Sequence, residues 1–177
     1  MPNNELTPRW WEHPEVALQP LETIVKFLQN SVLDARYVDG VAPSLAVKTR
    51  AGDLEVHNLM EVFDLNTAAS FGRLKPFIQL YLDSKQPQWY IFTMDMFYTP
   101  FKGAAVNYGN ILDMPPDDRS EIIMMTHNTR GNPNPKTSCA DVVYEDGHKA
   151  VTKDWWNWEP EDDNSGPSGI EIGEYVW

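Results

Sequence analysis

Cysteine occurs once in the 177 residues, as Cys139, so no disulfide can close within the chain. Small secreted domains lean on several such bridges, and their lack points to a reducing compartment. No Asn-x-Ser/Thr glycosylation acceptor occurs, in agreement with that reading. The opening stretch from Met1 to Leu6 has neither a basic segment nor an apolar one, so a signal peptide is not expected and the expected location is cytoplasmic. No apolar run approaches the roughly 18–20 residues of a membrane helix. Basic residues are scarce, 14 Lys and Arg against 26 Asp and Glu, for a net charge of −12. Their distribution is lopsided. After Lys153 no base remains, while Asp154, Glu159, Glu161, Asp162, Asp163, Glu171 and Glu174 follow. Phosphate-neutralising cations are missing, which argues against direct nucleic-acid binding.

Familiar chemistry is equally thin. There is no Gly-x-Ser-x-Gly elbow, no Gly-x-x-x-x-Gly-Lys-Ser/Thr loop and no Gly-x-Gly-x-x-Gly turn. The four histidines, His13, His57, His127 and His148, have no second His or Cys at ligand spacing, so no metal and no cofactor are expected. Glu161, Asp163, Ser165 and Gly166 follow the opening spacing of a calcium loop, but Ile172 stands where the bidentate carboxylate belongs. His127-Asn128-Thr129 is a His-x-Thr pair, half of what two-histidine phosphoesterases use, and no second copy supplies the partner acid or base. Cys139 lies in a predicted strand and reads as a small core residue.

Hydrophobic content of 42 % is ample for a core in a chain of one-domain length. Residues 1–19 are polar and proline-containing, and read as an arm packed by Trp10 and Trp11. Leu21, Ile24, Val25, Leu28 and Val32 then form the stripe of an amphipathic helix, with Pro20 placed at its first position. Ser44 to Leu59 alternates about Arg50-Ala51-Gly52-Asp53 and predicts a hairpin. Residues 66–83 predict a helix kinked or split at Pro76. Gln88 to Tyr98 is apolar on both alternating faces and predicts a central strand. Glu121 to Met125, Ser138 to Tyr144 and Lys149 to Trp156 complete the strands, the last two flanking Glu145-Asp146-Gly147-His148. Helices first and strands later predict a single α+β domain over 1–158, with N-terminal helices packed on a mainly antiparallel β-sheet. Residues 159–177 read as an acidic linker and a short final strand, removable without unfolding the domain.

Two groups of residues stand out as candidate sites. Trp155, Trp156 and Trp158 adjoin Glu159, Glu161, Asp162 and Asp163, a combination of aromatic anchors and charged rim suited to a basic protein partner. Asp95, costly within an apolar strand unless paired, has Arg119 as its expected partner; with Tyr98 and His127 these would line a pocket over the sheet. The leading expectation is therefore a non-catalytic, macromolecule-binding protein, an interaction partner or inhibitor. The alternatives are a small-molecule-binding protein or enzyme with a pocket near His127 and Asp95, and an acidic mimic of nucleic acid.

Overall fold

The computed structural model describes residues 10–35, 43–59, 73–98, 120–145, 147–151, 154–157 and 175–177. A 3-10 turn at Trp10–Glu12 leads into the short helix α1 (Pro14–Ala17) and the long helix α2 (Leu21–Ala35). A hairpin of β1 (Ser44–Lys48) and β2 (Leu54–Asn58) is followed by α3 (Leu74–Lys85). Then come β3 (Trp89–Tyr98), β4 (Ser120–Thr129), β5 (Lys136–Glu145), β6 (His148–Val151) and β7 (Trp156–Asn157). The strands form one sheet in the order β2-β1-β3-β4-β5-β6, with β7 also paired to β5, and every pair is antiparallel. The expected class, α+β with helices against an antiparallel sheet, is the one observed.

Strand alternation divides the sheet into two apolar faces, and each receives a helix. On one face Leu45, Val47, Tyr90, Phe92, Ile122, Met124 and Cys139 pack with Leu74, Ile78 and Leu82 of α3. These three leucine and isoleucine positions recur every four residues, so they share one helix face. On the opposite face Ala46, Trp89, Ile91 and Met125 pack with Ile24 and Val25 of α2, flanked by Leu21 and Leu28. Farther along, Val32 and Leu33 of α2 meet Ile123, Ala140, Val142 and Val151. The result is helix, sheet, helix. It explains why β3 reads as apolar on both faces: both are covered.

Local chemistry sets the boundaries. The Pro20 carbonyl accepts from the backbone of Thr23 and Ile24, so Pro20 precedes the first helical residue instead of occupying it. Pro76 is the third residue of α3, within the first turn, where a missing N–H breaks no helical bond. Residues 66–72 of that predicted helix lie outside the described residues. Gln86 ends α3 in the left-handed region at φ 49° and returns its N–H to the Leu82 carbonyl at 2.9 Å. In the hairpin, Gly52 takes φ 103°, and Thr49 bonds back to Asp53 through both backbone and hydroxyl. The predicted strand Lys149 to Trp156 is two: Val151 pairs with Val142 and Trp156 with Cys139, five residues against three.

The last three residues dock into the core. Tyr175 is fully buried against Tyr90, ring centroids 5.7 Å apart, and its N–H donates to the Tyr90 hydroxyl at 3.2 Å. Asn128 Nδ2 donates to the Tyr175 carbonyl, Trp177 Nε1 to the Pro87 carbonyl, and the Gly131 N–H to the Trp177 carbonyl. Tyr175 thus packs within the core that β3 and α3 share, and among the described residues 175–177 form no strand. Tyr175→Ala is expected to cost about 3–5 kcal/mol of unfolding free energy, read from the urea midpoint. Val176→Ala, at a largely exposed neighbour, serves as the comparison and should change it by less than about 1 kcal/mol. Equal effects would show that the C-terminal residues are not core.

Candidate functional site

Among the described residues, the α2-covered face of the sheet carries one buried imidazole. His127 is the eighth residue of β4, opposite Ile91 on β3 and Lys136 on β5. Alternation along β4 sets Ile123, Met125 and His127 on the same face. Above them, Glu22, Val25, Lys26 and Gln29 of α2 recur at helical spacing and project toward β4 and β5. Between helix and strands lies a cleft of about 480 Å³, walled by those four residues together with His127, Pro135, Lys136, Thr137, Ser138 and Asn157. Ligand pockets commonly fall within roughly 300–1,000 Å³.

Polar groups around this cleft are unevenly satisfied. Gln29 Nε2 donates to Ser138 Oγ at 2.9 Å, and Ser138 Oγ donates to the Met125 carbonyl at 3.4 Å. The backbone carbonyl of Gln29 accepts from Trp155 Nε1 at 3.0 Å, which pins the indole beside the helix. Glu22 Oε1 lies 3.4 Å from Lys136 Nζ and 3.7 Å from His127 Nε2. That last separation is beyond hydrogen-bond range. Neither nitrogen of His127 has a hydrogen-bond partner among the described residues, although the residue is only 6 % exposed. Burial pushes the His127 pKa down from its ordinary value; Glu22 opposes this shift and Lys136 adds to it. The ring is therefore held as neutral imidazole, one N–H donor and one bare nitrogen acceptor.

A second polar cluster lies at the outer strand. Tyr81 of α3 meets His57 Nε2 at 3.1 Å and donates to Glu55 Oε2 at 3.5 Å, and His57 lies 3.3 Å from the same carboxylate. Burial, then Glu55, pushes the Tyr81 hydroxyl up to about 12, so it remains a donor. These groups satisfy one another and are half open to solvent, as expected of a surface network.

The predicted site residues separate. His127 lines the cleft, whereas Asp95 does not. Asp95 is partly buried on β3 opposite Ile123, four residues from the Ile91 that faces His127. At roughly 3.3 Å per residue this is about 13 Å along the strand. Tyr98 ends β3 opposite Ser120, farther still; its side chain and Arg119 lie outside the described residues. Trp155 and Trp156 are partly buried on opposite faces of the sheet, Trp155 against the α2-covered residues and Trp156 against the α3-covered core. Trp158, Glu159, Glu161, Asp162 and Asp163 lie outside the described residues, as does the calcium-like spacing from Glu161. Cys139 is fully buried, and burial followed by Asp141 pushes its thiol up to about 12. Sequence reasoning missed Glu22, Lys26, Gln29, Lys136 and Ser138. A usable signal existed in α2, where Glu22, Lys26 and Gln29 border its apolar stripe at intervals of four and three.

Two outcomes follow. Cys139 should resist alkylation at pH 8 in the folded protein and react fully once urea unfolds it; prompt native labelling, followed by mass spectrometry, would contradict the buried placement. His127 supplies a pH dependence of known sign. Its folded pKa is below the ordinary 6.5, so the unfolded chain binds the proton more readily. The linked stability is complete above that value and is lost as pH falls below it. Urea midpoints for wild type and His127→Gln should run parallel above pH 6.5 and diverge below it, wild type falling more steeply. Parallel curves throughout would mean the folded imidazole accepts its proton freely. No protein-family model matches the chain, and neither a curated protein nor a solved structure does.

Proposed function

We propose that the chain is a small-molecule-binding protein whose ligand occupies the cleft between α2 and the β4–β5 strands, with His127 as the buried recognition group. One observation carries this reading: a buried imidazole in the wall of a 480 Å³ cleft has no hydrogen-bond partner for either nitrogen among the described residues. Each unsatisfied buried polar group costs about 1–3 kcal/mol. Folded proteins keep such costs at few places, and binding sites are prominent among them. A ligand offering an acceptor to the N–H or a donor to the bare nitrogen recovers that energy on binding. We prefer this to a docking surface anchored on tryptophan, because Trp155 and Trp156 turn their rings into the body and Trp155 already spends its N–H on Gln29.

Gln29→Trp tests the proposal by filling the cleft while preserving the main-chain bond to Trp155. Ligand-observed NMR with a fragment set that includes neutral, cationic and anionic compounds should yield binders to wild type that disappear with this variant. Near-UV circular dichroism checks that the variant stays folded. Binders that persist unchanged, or a wild-type protein that binds none, would remove the cleft as a ligand site.

A further inference from the structure

The cleft already holds one anion between two nitrogen groups, and that anion belongs to the protein. Glu22 Oε1 approaches both Lys136 Nζ and His127 Nε2, at 3.4 and 3.7 Å. We propose that the ligand is a small carboxylic acid whose carboxylate replaces that of Glu22 between Lys136 and His127. This inference rests on the cleft being a ligand site, and it names the chemistry that site takes.

The replacement is inexpensive. The side chains of Glu22 and Lys136 are 67 % and 68 % exposed, so their ion pair bridges α2 and β5 at the surface. Exposed pairs of this kind contribute only about 0–1 kcal/mol. When Glu22 swings into water, the charged groups remaining on the cleft wall among the described residues are Lys26 and Lys136, both cations. Beneath them is the neutral His127, able to donate from Nε2 to an incoming carboxylate oxygen, a bond Glu22 fails to make at 3.7 Å. An incoming acid is not tethered to a helix and can approach closer. It gains a charge-assisted bond from Lys136 and a second donor from the imidazole. An amine meets the opposite arrangement, two cations and one mobile acid. The volume of about 480 Å³ leaves room behind the carboxylate for a short chain. There it meets Val25 and Pro135 on the apolar side and Gln29, Ser138 and Asn157 on the polar side.

The probes are sodium butyrate, butyramide, n-butylamine and inorganic phosphate, matched in length where possible and held at equal ionic strength so that screening is constant. The readout is the His127 imidazole signals of histidine-labelled full-length protein. Butyrate should shift them saturably. Lys136→Met should weaken butyrate roughly tenfold or more, the loss of one charged hydrogen-bond partner. Glu22→Gln should tighten it by roughly threefold, through loss of the internal competitor. Both substitutions lie at exposed positions and leave the fold intact, as amide spectra would verify. Several results would overturn the assignment: butyramide, butylamine or phosphate binding as tightly as butyrate, or Glu22→Gln giving no gain. Those results leave the cleft as a ligand site of another class. If no probe moves His127 and the fragment set also finds no binder blocked by Gln29→Trp, both the ligand class and the cleft reading fall.

Discussion

The ten-residue antiparallel register between β3 and β4 governs the rest of the molecule. Trp89 faces Thr129 at one end and Tyr98 faces Ser120 at the other, so every side chain between them is committed to one of two faces. A slip of one strand by one residue would exchange its faces along its whole length. With a helix packed on each, a slip of β3 would drive Tyr90 and Phe92 into the α2 layer and Ile91 into the α3 layer, and a slip of β4 would do the same to Met124 and to Ile123 and His127. The covering helices and the strand pairing therefore specify one another. Burial on both sides makes this register hard to move.

The same constraint explains how a histidine comes to be buried without partners. Alternation leaves β4 no choice about where residue 127 points, and the face it points to is closed by α2. The neighbouring polar residues on the opposite face find hydrogen-bond partners there. Thr126 shares a hydrogen bond with Thr137 at 2.9 Å, and Asn128 donates to the carbonyls of Asn132 and Tyr175. His127 faces Lys136, a cation that offers nothing to its N–H and opposes its protonation. Glu22 approaches from α2 but stays beyond bonding distance. The cost of this position is specific to one face and one residue, which is why it marks a site more sharply than charge or composition does.

Legibility in the sequence followed the range of the interactions involved. The stripe Leu21, Ile24, Val25, Leu28 and Val32 is a local pattern, and α2 follows it, although Pro20 sits one position earlier than its preference for a helix start suggests. Gly52 and Gly147 mark turns through positive φ, again a local property. The predicted strands are too short where polar residues are buried by distant partners. Expected to end at Met125, β4 continues through Thr126, His127 and Asn128; β5 begins at Lys136, two residues before its predicted start. Nothing local reveals that Thr126 will meet Thr137, or that Asn128 will hold the chain near its far end. His127, Lys136 and Thr137 of the cleft wall come from these overlooked strand ends, so that part of the site was obscured together with them. Asp95 is a carboxylate in an apolar run, but its register position sets it about 13 Å from His127 at the usual rise per residue.

The C-terminal residues change what the acidic segment can be. Asn157 is held on β5 through β7, and Tyr175 is locked beneath Tyr90, so the carboxylate-rich stretch between them is fastened at both ends. Closing a stretch of this length costs little more than closing a shorter one, since the penalty grows only logarithmically. Trp155, just before β7, packs its ring on the α2-covered face, and its N–H holds the carbonyl of Gln29, whose side chain forms a wall of the cleft. The bond from Trp155 to Gln29 therefore ties the end of the chain leading into β7 to the helix that walls the cleft, while Asn157, two residues on, lines the same cleft from β7.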